Sequence, residues 1–123
     1  MDIKVKQVVK YDGHNIMANG SVNLNLKASY SELTKTIELQ QMLNNDVEIK
    51  CKLPDMQQSI KLGRFRLKQT TIDGDGESKI KLNGLKDYIE TDNLNLLPLN
   101  SDSVSEFVVL YRADVELESE DEE

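Results

Sequence analysis

The chain predicts a mainly β domain of the α+β class: about six mostly antiparallel strands in a small sandwich or partly open barrel, with one helix near residues 30–44. Three observations lead there. Apolar and polar residues alternate with period two over most of the chain, as they do in half-buried strands. The connections between these runs are mostly of turn length, too short for the crossovers that parallel strands need. Only residues 29–45 carry helical spacing.

In order along the chain, residues 2–11 set Ile3, Val5, Val9 and Tyr11 against Lys4, Lys6 and Lys10. Asp12-Gly13-His14-Asn15 reads as a turn and Asn19-Gly20 as a second turn signal. Residues 21–28 alternate cleanly, with Val22, Leu24, Leu26 and Ala28 on one face. Ser29 followed by Glu32 has capping-box spacing, and Leu33, Ile37, Met42 and Leu43 make a partial helical stripe, although Thr34 and Thr36 also suit a strand. Residues 46–53 return to alternation through Val47, Ile49, Cys51 and Leu53, and Pro54 ends that strand.

Residues 59–72 contain a change of parity. Ile60 and Leu62 are even-numbered, whereas Phe65 and Leu67 are odd-numbered, so one extra residue at Gly63 is needed to keep a common face. A β-bulge or kink is predicted there. Asp73-Gly74-Asp75-Gly76 forms a hairpin turn into residues 78–82. Residues 85–99 are ambiguous: Leu85 to Glu90 suits a short helical turn, and Asn93 to Pro98 an extended connection. From Phe107 onward alternation resumes, with Val108 and Leu110 making the first half apolar on both faces. That strand should be central, and its second half an edge or exit.

The whole reads as one β-rich domain over residues 1–118 and a disordered acidic tail at 119–123. The charge supports that division. Residues 1–113 hold 15 bases and 15 acids, while residues 114–123 add 7 acids and no base, which accounts for the net charge of −7. Within the body, residues 1–70 are mildly basic and residues 71–113 acidic. No apolar run approaches the roughly 18 residues of a membrane span. No signal peptide is expected, and the single Cys51 suits a reducing, cytoplasmic setting.

Catalytic chemistry has little to stand on. His14 has no second His or Cys near it, Cys51 alternates inward as a core residue, and Asp73-Gly74-Asp75-Gly76-Glu77 is better explained by a tight turn than by a calcium loop. No cofactor or metal is expected, and the chain reads as a non-enzyme.

Two binding readings remain. In the favoured one the chain is a protein-binding accessory or inhibitor module that meets a protein partner through Asp87, Glu90, Asp92, Asp102 and Glu106. In the alternative it binds single-stranded nucleic acid through a basic β-face of Lys50, Lys52, Lys61, Arg64, Arg66 and Lys68, extended by Lys79 and Lys81. The ordinary explanation of that face is a solvated, Lys-rich surface that discourages edge pairing. Single-strand binding also needs exposed aromatics for stacking, and only Tyr30 and Tyr88 fall outside core positions. That shortage favours the protein partner.

A domain followed by an acidic tail resembles the layout of single-stranded-DNA-binding proteins. The tail would then compete for the basic face or recruit a partner, but the helix between the second and third strands departs from OB-fold order. Size and the Asn/Lys-rich composition resemble small accessory proteins of phages and mobile elements. An unpaired edge strand would also admit a homodimer.

Overall fold

The computed structural model describes residues 2–53, 57–97 and 106–114. Six strands form one antiparallel sheet closed into a barrel: β1 (Asp2–Ile16), β2 (Ser21–Ala28), β3 (Asp46–Lys52), β4 (Ile60–Ile72), β5 (Ser78–Leu85) and β6 (Glu106–Asp114). Around the barrel the order is β1-β2-β5-β4-β3-β6, and β6 pairs back onto β1. Each strand therefore has neighbours on both sides, and a homodimer on a full-length free edge has no such edge among the described residues.

Closure depends on two long strands that each serve two neighbours in succession. β1 pairs with β6 through Asp2 to Lys10 and with β2 through Lys10 to Ile16. β4 pairs with β3 through Ile60 to Arg66 and with β5 through Arg66 to Ile72. Both strands must bend, and bulges supply the bend. The bulge expected at Gly63 is present: Ile49 faces Gly63 while Lys50 faces Lys61, which leaves Leu62 as the extra residue. Gly63 has a φ of 125°, a conformation that glycine adopts without strain.

Asp12-Gly13 is also a bulge and not the expected turn. Strand β1 runs through it, with a register shift between Tyr11 and His14, and reverses only at Met17–Gly20. There Met17 N–H donates to Ser21 O at 2.8 Å and Gly20 N–H to Met17 O at 3.0 Å. The Asp-Gly pair supplies left-handed backbone in either arrangement, so local sequence did not separate them. A third irregularity, at Lys68 between Leu67 and Gln69, is marked in the apolar pattern only by Ile72, even-numbered where Phe65 and Leu67 are odd.

The helix is present where expected, as α1 (Leu33–Leu39) between 3-10 turns Tyr30–Glu32 and Gln40–Met42, 13 residues in all. Its buried face differs from the predicted stripe. Thr36, Leu39 and Met42 are buried, whereas Ile37 is 52% exposed. The reason lies in β1, where Gln7 points inward and is buried. Gln7 Nε2 donates to Thr36 Oγ1 at 2.9 Å, and Tyr111 Oη donates to Gln7 Oε1 at 3.1 Å. A buried amide needs partners, and this polar chain rotates the helix toward Thr36. The capping box does not form either. Ser29 Oγ bonds Ser31 Oγ, while Glu32 Oε1 accepts from Val8 N–H at 3.1 Å and fastens the helix to β1.

A 3-10 turn, Lys86–Tyr88, follows β5, in line with the expectation for Leu85 to Glu90. The expected extended run after Asn93 is instead the end of α2 (Thr91–Leu94) and a further helical turn, because Leu94 and Leu97 must both reach the core. The barrel interior is filled from every strand, with Tyr111, Phe65, Leu24 and Ile49 among its largest buried side chains. The strand from Phe107 is paired on both sides as far as Arg112, and residues beyond Asp114, including the tail, lie outside the described part. Among the described residues no helix is long and apolar enough to cross a membrane.

Tyr111→Phe tests the polar chain. It leaves Gln7 Oε1 buried without a donor, so stability should fall by about 1–3 kcal/mol in urea denaturation. An unchanged midpoint would show that the chain does not hold α1 against β1.

Candidate docking cleft beside Tyr88

The bulge at Gly63 builds the most developed surface feature. Segment Tyr88–Ile89 lies so close over it that a Cβ at position 63 would be 2.5 Å from Tyr88 O and 2.7 Å from Ile89 Cα. A bridge joins Gly63 to Ile89, and Glu90 N–H donates to Leu62 O at 2.9 Å. Ile89 turns into the core, so its neighbours Tyr88 and Glu90 are held outward. Tyr88 is 59% exposed and Leu85 56%.

Three adjoining depressions of about 450, 390 and 280 Å³ share Arg64 in their walls, and Tyr88 lines two of them. Arg64 has no ion pair among the described residues. Arg66 pairs with Asp46 at 3.3 Å, and Arg112 holds Glu48 at 2.9 Å and Asp2 at 3.0 Å. The hydrogen bond Arg112 donates to Asp2, the Asp2 charge and the hydrogen bond it donates to Glu48 raise the guanidinium pKa above its ordinary value. The cleft is therefore mixed in sign, with one uncommitted arginine next to an exposed aromatic.

The predicted acidic residues divide. Asp87 and Glu90 line the cleft with Lys61 and Arg64. Asp92 is exposed on α2, next to Asn93, whose Nδ2 donates to Lys61 O at 2.8 Å. Glu106 stands apart, opposite Lys10 on β1, and Asp102 lies outside the described residues.

The predicted basic residues are all exposed, and β3 and β4 pair as expected, but acids interrupt the basic face between them. Lys50 sits opposite Lys61, whereas Arg64 and Arg66 sit opposite Glu48 and Asp46. Lys52 lies near the end of β3, across from Val108. Lys68, Lys79 and Lys81 lie on the other side of this acidic interruption, on the β4–β5 wall. The sequence reading also missed Lys6, which continues the row Lys6–Leu110–Lys50–Lys61 across four strands. Alternation had already placed Lys6 outward; the pairing of β6 with both β1 and β3 is what joins it to Lys50.

The remaining reactive groups are committed elsewhere. His14 accepts or donates at Nδ1 with Tyr11 Oη at 2.7 Å, and its Nε2 lies 3.3 Å from Asn95 Oδ1. Asp73 Oδ1 accepts from Asp75 N–H at 2.9 Å and Glu77 N–H at 3.0 Å, stapling the hairpin turn. Among the described residues no group of three His, Cys, Asp or Glu could hold a metal ion. The chain matches no protein-family model, and it matches no curated protein.

Two predictions follow from this geometry. Gly63→Ala combines a left-handed φ with a backbone clash and should cost at least about 2 kcal/mol, lowering the thermal midpoint and displacing Tyr88. A midpoint equal to wild type would remove the bulge as the seat of the cleft. Cys51 is buried, and burial pushes its thiol from the ordinary 9.0 up to about 12. The native state then binds the proton more tightly than the unfolded chain, so this contribution is complete below pH 9 and is lost as pH rises toward 12. A disulfide reagent at pH 8 should label Cys51 only after denaturation, and fast labelling of the native protein would contradict its burial.

Proposed function

We propose that the protein is a non-enzymatic binding module, an accessory or inhibitor that occupies a protein partner's surface through the Tyr88 cleft. The supporting observation is the pairing of exposed Tyr88 and Leu85 with uncommitted Arg64 in one depression. Tyrosine and arginine are enriched in binding hot spots, tyrosine for its large, stiff surface with a polar end and arginine for its planar, five-donor guanidinium. Docking would bury the exposed parts of Tyr88 and Leu85, for a contribution on the order of 1–3 kcal/mol each. Asp87 and Glu90 at the rim add charge complementarity, which steers association more than it tightens it. The matching partner presents an apolar pocket, a carboxylate for Arg64 and basic side chains at its edge. In a reducing cytoplasm Cys51 stays a core thiol, and the small size fits accessory proteins of the phage or mobile-element kind.

Single-stranded nucleic-acid binding has one observation in its favour. Lys6, Lys50, Lys52 and Lys61 carry no ion pair among the described residues, so their charge is uncompensated locally. Against it, the cations are divided by Asp46 and Glu48, and Val108 and Leu110 lie outward in the lysine wall where bases would need aromatic platforms.

A photo-crosslinking side chain at position 88, with position 79 as control, should capture the partner. With that partner purified, Tyr88→Ala should weaken affinity about 10- to 100-fold and Arg64→Ala about 10-fold. Charge reversal of Asp87, Glu90 and Asp92 together should slow association, and Lys79→Ala should change little. Affinity untouched by Tyr88→Ala would sink the cleft. A steeply salt-dependent affinity for a labelled oligonucleotide, lost in Lys50→Ala with Lys61→Ala, would support the nucleic-acid reading in its place.

A further inference from the structure

On the opposite side of Arg66 the outer wall of β1, β2, β5 and β4 carries a different chemistry. The residues Asn15, Asn23, Asn83 and Arg66 form one row in register across these four strands. Beside it, Asn25 pairs with Lys81, and Lys68, the extra residue of the bulge between Leu67 and Gln69, lines the same depression as Lys81. Asn15, Asn23, Asn25, Asn83, Lys68 and Lys81 line a depression of about 360 Å³ in which no carboxylate takes part. The three depressions of the Tyr88 cleft all contain acids.

The donors here are uncommitted. Asn83 Nδ2 donates to Asn23 Oδ1 at 2.6 Å, which orients both amides and leaves the Asn23 N–H groups free to point outward. Asn15 and Asn25 have no side-chain hydrogen bond, and Lys68 and Lys81 no ion pair, among the described residues. Of the neighbouring cations, Lys27 is paired with Asp12 at 3.5 Å and Arg66 with Asp46, whereas Lys79, opposite Lys27 on β5, has no ion pair among the described residues. Two ammonium groups and several amide N–H groups therefore converge from four strands with no acid to answer them.

We infer that this amide-and-lysine depression is a phosphate-binding site. The donor set asks for an anion with more than two acceptor oxygens, which a phosphoryl group offers and a carboxylate does not. The amide carbonyls that remain suit the hydroxyls of an attached sugar. No aromatic lines the depression, so recognition is of phosphate and sugar and not of a stacked base. Alternation already turns Lys68 outward after buried Leu67, and the bulge leaves it without a cross-strand register partner, since Gln69 takes the place opposite Lys81.

The side-chain amides report on the site directly in 1H–15N spectra of the full-length labelled protein. Inorganic phosphate, titrated at constant ionic strength against chloride, should shift the amide pairs of Asn15, Asn23, Asn25 and Asn83 along saturable curves. Lys68→Gln and Lys81→Gln should each weaken that binding about 10-fold or more while the backbone spectrum elsewhere is retained. A short oligothymidylate is the second probe. Saturation by inorganic phosphate indicates a free phosphate or phosphomonoester ligand, and saturation by the oligonucleotide alone indicates a phosphodiester backbone. The inference is overturned if these amides show no saturable shift with either probe, or if the shifts are indifferent to both lysine substitutions. Tyr88→Ala should leave the titration unchanged, so this site and the protein-docking cleft fail or stand separately.

Discussion

Six strands close into a barrel only if the sheet bends, and here the bending is concentrated in two long strands that each change partner midway. β1 passes from β6 to β2 near Lys10, and β4 passes from β3 to β5 at Arg66. A regular pleated ladder resists such a change, so each long strand carries extra residues, at Gly13 in β1 and at Leu62 and Lys68 in β4. The surface features follow from these. The bulge after Leu62 admits the Tyr88–Ile89 backbone, which fixes the cleft. The irregularity at Lys68 takes that lysine out of the β4–β5 ladder beside the amide-lined depression. The one at Gly13 brings His14 within reach of Tyr11 and Asn95.

How much of this was legible in the sequence depended on whether a feature altered the apolar pattern. The Gly63 bulge flips the parity of Ile60 and Leu62 against Phe65 and Leu67, and a buried face cannot tolerate that flip, so it could be read directly. The Lys68 bulge falls where Gln69, Thr70 and Thr71 constrain nothing, and its one trace, even-numbered Ile72 after odd-numbered Phe65 and Leu67, is a single exposed residue at the strand end. The helix was located by spacing, but its face was not, because large apolar side chains were taken to point inward. Thr36 wins over Ile37 because buried Gln7 requires a hydroxyl, and Gln7 sits in a strand position that alternation alone fills with an apolar residue.

Strand order was the larger omission. Alternation says which residues face out, but not which outward faces are adjacent. That β6 lies between β1 and β3 is a consequence of closure, and it alone joins Lys6 to Lys50 and places Arg112 between Glu48 and Asp2. The register of β3 on β4 sets acids opposite Arg64 and Arg66, so the basic face seen in the linear sequence is two lysine groups with a mixed-charge cleft between them. Acidic and basic side chains a few ångströms apart at a solvated surface contribute little stability, about 0–1 kcal/mol per pair. Their arrangement matters for what approaches, more than for whether the barrel holds.

Arg66 and Asn83 are where the two surfaces meet. Arg66 lines the cleft with Tyr88 and is in register with Asn83, which also lines the amide-and-lysine depression. The Arg66–Asp46 pair is about half exposed on both sides, so its guanidinium can be drawn toward either ligand at small cost. Substituting Arg66 or Asn83 would then disturb both surfaces and distinguish neither. Arg64 and Tyr88 report on the cleft alone, and Lys68 and Lys81 on the depression alone, because no depression is shared between the two pairs. The geometry thus keeps the two proposed binding chemistries apart on one small barrel: an aromatic and an arginine among mixed charges on one side, and amides with lysines free of acids on the other.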